Sequence, residues 1–374
     1  MEERMKISIE NKIRKWLSGP YAIDYDEGSR TKCICRGKEI PSQYDEKRKK
    51  LVVMLPDIEK GEKVELELKQ GTLSYSEVKL IDNPEKGIVD IMIGEEYFSS
   101  YHYGKHVVRP FLNPVITVKG KSVLRPPVPE GNPEKLDHIH HRGIWVAHGD
   151  INGVDNWSEM EGHGWTVHQE FIEITGGPVF GRFHEKSFWM NNKKVKICEE
   201  ERIITVYNMP ASARIIDHVI ILRATEGELI FRDTKESGLL SVRVMPSMQA
   251  DKQGTFENSY GGINENECWG KRAQWCDYWG PIDDVVAGIS VFDQPKNLRY
   301  PTWWHIRNYG LFSANFFGLS EFTGDKKISG TYILPAYQEM KLFYRIYVHE
   351  GDTRKGNVHT RYLNFLYPPT VSKG

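Results

Sequence analysis

Three histidines within four residues, His138, His140 and His141, are the densest chemistry in this 374-residue chain. They open the segment DHIHHRGIWVAHGDINGVDNW, which runs from Asp137 to Trp157. Read as extended backbone, it projects His138 and His140 to one face about 6–7 Å apart, the reach of two imidazoles converging on one metal ion. In that geometry His141 points the other way, and His148 with Asp150 forms a second same-face pair. The expected ligand set is therefore His138, His140 and His148 around a divalent ion such as Zn or Mn, with His163 and His168 as further histidines in reach. A metal-free cluster stays open beside this, because imidazole carries protons near neutral pH and also stacks on rings such as Trp145, Trp157 and Trp165. Under either reading His140 and Arg142 are catalytic candidates. Asp150, Asn152, Gly153 and Asp155 with Glu161 resemble a calcium loop, but the glycine comes fourth instead of sixth and Val154 supplies no oxygen, so a turn is expected.

Two other segments combine charge with apolar strands. Between Arg232 and Arg243, Glu236 could act as a carboxylate base and Arg243 as an anion or hydroxyl clamp, against the plainer reading of a salt-bridged strand start. Late in the chain, aromatic rings alternate with polar groups around Asp277, Tyr278, Trp303, His305, Arg307 and Asn315. Such a mixture suits a polyol pocket, flat faces for C–H surfaces and polar tips for hydroxyls. Adjacent Trp303 and Trp304 must point to opposite faces of a strand, and His305 and Arg307 must share one. His305 joins the catalytic candidates; Asp277, Tyr278, Trp303, Arg307 and Asn315 join the substrate-binding ones, with Arg109 and Asn113 from RPFLNPV.

The elements that must hold these groups read as β-strands. VELEL alternates apolar and charged residues, with a hairpin expected around Gly61, and comparable segments recur to the C-terminal end, separated by Gly, Pro, Asn and Asp. Long amphipathic helices between them are missing, which favours an all-β antiparallel sandwich over βαβ units. The stretch Ile7–Leu17 reads as either a short helix or an extended arm. A smaller N-terminal β region over residues 1–95 and a main sandwich over 96–374 are the expected division. No phosphate-binding glycine loop occurs, so no nucleotide cofactor is expected.

Composition narrows the partners. Fifty basic and fifty-one acidic residues leave a net charge of −1, giving no global field for nucleic acid or an anionic membrane. Aromatic content of 11% favours a small sugar-like substrate; a homo-oligomer is compatible. Five cysteines without a C-x-x-C pair read as reduced thiols, and the N-terminal residues lack the apolar core of a signal peptide, so a cytoplasmic location is expected.

The motifs RPFLNPV, DHIHHRGIWVAHGDINGVDNW, DTKESGLLSVRV, WCDYWG and PKNLRYPTWWHIRNYG resemble those of the family named methane oxygenase PmoA, also described as a DUF6807-type domain. Ile139 departs from that pattern, which favours proline there. The family name implies a membrane-spanning subunit that this chain lacks the segment for. The resemblance implies instead a supersandwich-like all-β fold in sugar and cyclitol catabolism, including ring opening of a diketo-cyclitol in a thermophile inositol pathway; the Lys- and Glu-rich composition suits a thermophile. The leading expectation is a metal-assisted hydrolase breaking a C–C bond of a keto- or diketo-cyclitol or sugar, with Arg142 or Arg307 holding the enolate and His305 or Glu236 moving protons. Its rivals are a metal-free mutarotase or epimerase with Glu236 or Asp277 as base, and a non-catalytic carbohydrate-binding protein.

Overall fold

Alternating sequences such as KVELELKQ and IVDIMI bury every second side chain, and the computed structural model accordingly builds the chain from strands. It describes residues 5–26, 31–71, 75–127, 138–210 and 213–372. The fold is all-β. Two eight-stranded antiparallel sheets enclose the main core, and smaller five-, three- and two-stranded sheets accompany them. Among the described residues the α-helices are short: Asn264–Cys268, Leu319–Thr323 and Val358–Leu366.

The first large sheet runs, in spatial order, Trp304–Ile306, Leu311–Ala314, Ser241–Arg243, Ile144–Trp145, Phe111–Val115, Glu96–His102, Ile88–Ile93 and Val78–Asn83. The second contains the long strands Trp165–Thr175, Phe180–Met190, Lys196–Tyr207, Ala213–Arg223 and Glu339–Glu350. Their facing sides share one apolar cluster: Leu112, Ile144, Val242, Trp304, Ile306 and Phe312 from the first meet Phe183, Trp189, Ile216, Ile220 and Ile346 from the second. At roughly 1.5–3 kcal/mol for each fully buried large apolar side chain, this layer is what fixes the first sheet's orientation.

The N-terminal strands have their own core of Ile9, Trp16, Tyr21, Leu51, Val53 and Leu66. Residues 5–10 form a strand and not a helix, pairing with Lys63–Gln70. The hairpin expected around Gly61 does not form: Lys50–Leu55 pairs with Gly19–Asp24 and Ser42–Asp45, whereas Lys63–Gln70 belongs to another sheet. Gly61, at φ 81°, turns the chain between sheets. Strands Val78–Asn83 and Ile88–Ile93 lie in the same sheet as Glu96–His102, so hydrogen-bonded pairing crosses residue 95. All five cysteines are buried and free. Among the described residues, no helix is long and apolar enough to cross a membrane.

Candidate functional site

The side of the first sheet facing away from the shared core carries the polar chemistry. Strand alternation sends Val242, Ile144, Trp304 and Ile306 inward and leaves Ser241, Arg243, Trp145 and His305 on the other face. Register aligns them in rows: His305 opposes Ser313, Ser313 opposes Ser241, Ser241 opposes Trp145, and Trp145 opposes Phe111. Ser313 and Ser241 hydrogen-bond each other. In the next row Arg243 opposes Leu311, whose carbonyl accepts from the Arg307 amide.

Over this face lies the histidine segment, which is a turn. His138 sits at φ 51° and its carbonyl accepts from the His141 amide at 3.1 Å. Folding the backbone back in this way brings together three imidazoles that an extended chain would have split between two faces. Ligand nitrogens of His138, His140 and His141 all lie within 4.8 Å of one another. His141, expected to point away, is therefore the third member. His148, expected as a ligand, is elsewhere: its Nδ1 lies 2.6 Å from Ser237 Oγ and its ring packs on Phe231 and Phe317 in the interior.

The turn is held from below. Asn113 donates from Nδ2 to the carbonyls of Arg125 and Arg142, and Arg125 donates from Nη2 to the carbonyls of His138 and His141. Arg142 makes two bonds to Glu159, of 2.7 and 2.5 Å, while buried Arg109 reaches Glu159 at 3.4 Å and the Ser158 carbonyl at 2.8 Å. Arg109, Asn113 and Arg142 thus fasten the turn. Burial pushes the Glu159 carboxyl up, but its bond to Arg142 and the charges of Arg109 and Arg142 outweigh this and keep it below its usual value.

Burial, then the charge of Arg109, pulls the His140 pKa down to about 4. Burial and the neighbouring His140 and Arg243 hold His141 well below its ordinary value. Both rings are neutral at pH 7, the state a metal ligand requires. His141 Nε2 is buried without a hydrogen-bond partner, and its Nδ1 lies 3.3 Å from Arg243 Nη1. Arginine only donates, so Nδ1 accepts and the proton resides on Nε2; ligation through Nε2 requires that proton to move and the Arg243 contact to yield. Three nitrogens on one tetrahedral ion stand roughly 3.3 Å apart, so the observed spread of up to 4.8 Å needs closure by up to about 1.5 Å. His138, exposed, can supply it. The donor set and the partnerless buried nitrogen fit a divalent ion.

Rings and cations line the same face. Tyr309 stacks on His138 with centroids 5.2 Å apart, and Arg243 and Arg307 lie 4.6 and 5.7 Å from the Tyr309 ring. Trp145 stacks on His141 at 5.1 Å and Trp157 contacts His140 at 6.1 Å. His305 is buried; its Nδ1 accepts from Trp269 Nε1–H at 3.0 Å, which places the proton on Nε2. Burial, with Lys235, Arg307 and His138 nearby, lowers its pKa to about 3. The expected proton-carrying His305 is therefore a neutral donor of fixed tautomer.

Other expected residues are structural or peripheral. Asp277 is wholly buried, bonded by Ser290, His349 and Thr353, and cannot serve as a base or substrate contact. Tyr278 buries its hydroxyl against the Arg307 and Asn308 carbonyls and the Ala250 amide, setting the backbone beneath Arg307. Asn315 clamps the carbonyls of Thr234 and Lys235, fixing the loop that presents Glu236, itself ion-paired with Lys235. Trp304 is buried and Trp303 half-buried, as alternation required, but Arg272 lies 4.4 Å from the Trp303 ring. His163 bonds its own neighbour, Gly164, and His168 pairs with Glu185. Asp150 and Asp155 accept from following amides as turn caps. Glu159 and the Ser241–Ser313 pair carry no signal in the sequence, whereas Tyr309 lies in the late aromatic cluster and Arg243 on its apolar strand.

Comparison with known proteins adds a family. No curated protein matches the sequence. Solved structures that resemble the fold include an α-mannosidase from Enterococcus faecalis V583, at 9% identity and TM-score 0.48 over 99% of this chain and 46% of that one. A protein in the glycosyl hydrolase family 38 from Enterococcus faecalis gives 9% identity and TM-score 0.43 over 100% of this chain and 46% of that one. This chain spans a little under half of either, and likeness at that level carries no argument about chemistry. The model of a family of unknown function, DUF6807, matches residues 88–362, well over half the chain and every residue of the histidine turn and the face beneath it. The chain belongs to the DUF6807 family.

Proposed function

We propose that the protein is a metal-assisted hydrolase that opens the ring of an oxidised sugar or cyclitol at a C–C bond next to a carbonyl. The observation that carries this reading is the convergence of His138, His140 and His141 nitrogens within 4.8 Å. A divalent ion held there would polarise a carbonyl and lower the pKa of water. The chain's own groups then have defined work. His305 Nε2–H donates to a substrate oxygen, and Arg243, stacked on Tyr309, offsets negative charge that develops as the bond breaks, with Arg307 beside it paired with Glu265 at 3.0 Å. Glu236, fixed through Asn315 and paired with Lys235, receives the proton released by the attacking water and returns it to the carbon freed when the bond breaks. Arg142 and Arg109 act through Glu159 as positioning residues.

Two rivals lose support. A metal-free mutarotase needs an imidazole that protonates near neutrality, whereas His305 stays neutral, and of its two expected bases Asp277 is sealed and only Glu236 stays reachable. A carbohydrate-binding platform built on the tryptophans around the histidine turn and the Trp303 segment needs those rings exposed, whereas Trp145, Trp157 and Trp304 are buried and Trp303 is covered by Arg272. The decisive experiment measures metal content of the purified chain by elemental analysis, then follows loss of a cyclic diketone before and after chelation. One equivalent of ion with turnover that vanishes on chelation and returns with Zn or Mn is expected. Full turnover in metal-free protein overturns the proposal.

A further inference from the structure

A cleft of about 810 Å³ lies apart from the histidine turn: none of His138, His140, His141, Arg243, His305 and Arg307 lines it. Its size is that of a site for a small molecule. Tyr103, Trp165 and Met190 give it apolar walls, and His168 faces it from the strand Trp165–Thr175. Behind His168 is a buried acid. His168 Nδ1 lies 2.8 Å from Glu185 Oε1, Glu185 is fully buried, and its other oxygen accepts from the Tyr101 hydroxyl. Arg202 donates to the same hydroxyl at 3.2 Å and pairs with Glu200, completing a layer that holds Glu185 in place.

The chemistry of this dyad is fixed by its partner. A carboxylate only accepts, so Nδ1 carries a proton toward Glu185 and Nε2 is the ring nitrogen left to a ligand. Nε2 has no protein partner among the described residues and is not one of the sealed polar atoms. A pair serving the fold alone has no need of one nitrogen left open toward a cleft. Tyr103 and Phe171 flank the ring at 4.4 and 4.5 Å and keep it from swinging away. The rim is cationic: Lys86, Lys105 and Lys194 line it against the single acid Glu85, and Lys194 rests on the Trp165 face.

We propose that this cleft is a second ligand site, for a sugar-sized polyol bearing an anionic group. In it His168 Nε2 hydrogen-bonds a ligand hydroxyl, the walls of Tyr103 and Met190 take a C–H face, and the lysines take the carboxylate or phosphate. This inference does not depend on the histidine turn binding a metal.

Titration calorimetry on the full chain with glucuronate, glucose 6-phosphate and glucose tests it, the first two separating a carboxylate from a phosphate as the preferred anion. At least one anionic sugar is expected to bind, with glucose about tenfold weaker or worse, the effect of losing a charge-assisted contact. His168→Gln should weaken that binding about tenfold. The double change Lys105→Met with Lys194→Met should erase the preference over glucose, and His140→Ala should alter neither. Absence of binding by both anionic sugars overturns the proposal, as does binding that survives His168→Gln but disappears in His140→Ala. Should His168→Gln fail to fold by circular dichroism, the lysine pair decides: an unchanged preference for the anion overturns it.

Discussion

Arg142 and Glu159 face each other through two parallel hydrogen bonds of 2.7 and 2.5 Å, and this pair joins the histidine turn to the loop that follows Trp157. Glu159 also meets Arg109, whose side chain is 1% exposed. One carboxylate therefore bridges two guanidiniums beside His140, and Asp155 adds a second negative charge near Arg109.

Glu159→Gln should for that reason do two things. Leaving a buried arginine without its counter-charge costs about 3–5 kcal/mol, to be read from chemical denaturation. Slackening the support of the turn should weaken metal binding about 10–100-fold, as loss of groups behind metal ligands commonly does. A variant with unchanged metal affinity would show that Arg142 and Glu159 serve the fold alone.

His140→Ala and His148→Ala separate the cluster from its neighbour in sequence. Removing His140 should abolish stoichiometric metal, and in metal-free protein it should cost less stability than removal of a fully buried ring, since His140 is partly exposed. Removing His148 takes away a fully buried ring and its Ser237 partner, which should cost about 1–3 kcal/mol while metal content stays the same. The reverse pattern in elemental analysis and melting would restore His148 as a ligand.

The difference between those two histidines shows what was legible in the sequence and what was not. Period-two alternation places adjacent Trp303 and Trp304 on opposite faces, and the structure buries Trp304 in the core and leaves Trp303 half-buried, because a strand obeys that rule wherever its neighbours lie. Alternation failed at His138–His141, where a residue at φ 51° turns the chain and the rule no longer applies. Gly61 failed differently. It does turn, but a turn residue does not say which strand the next segment will pair with, and here that strand enters another sheet. Glu159 left no signal at all, since its role is created by Arg109 and Arg142, 50 and 17 positions away.

The buried pair of His349 and Asp277 should give stability a two-sided pH dependence. Burial disfavours the charged form of each, but their mutual attraction across 3.0 Å outweighs it, raising the His349 pKa and lowering that of Asp277. Stability from a raised histidine is complete below its unfolded value of about 6.5 and is lost as pH rises through the folded one. Stability from a lowered aspartate is present above about 3.8 and is lost as pH falls through the folded value. The pair should thus contribute most between about pH 4 and 6.5. The difference in unfolding free energy between wild type and His349→Gln should shrink from pH 5.5 to pH 9; a constant difference would mean that His349 is neutral throughout.

Trp269 sets the tautomer of His305, and breaking that control isolates its role. Trp269→Phe keeps a ring against Phe322, 5.4 Å away, but removes the N–H that donates to His305 Nδ1. With that donor gone, the proton is free to distribute between the two ring nitrogens, and nitrogen chemical shifts of His305 should report a mixture where the wild type shows Nε2–H alone. If His305 donates to a substrate oxygen, kcat should fall about tenfold, the low end for a positioned donor, while KM and metal content stay near wild type. Because burial and the surrounding cations keep His305 neutral down to about pH 3, the pH profile should gain no new limb near neutrality. A shifted tautomer with unchanged kcat would remove His305 from the chemistry and leave its face to Arg243, Arg307 and the histidine turn.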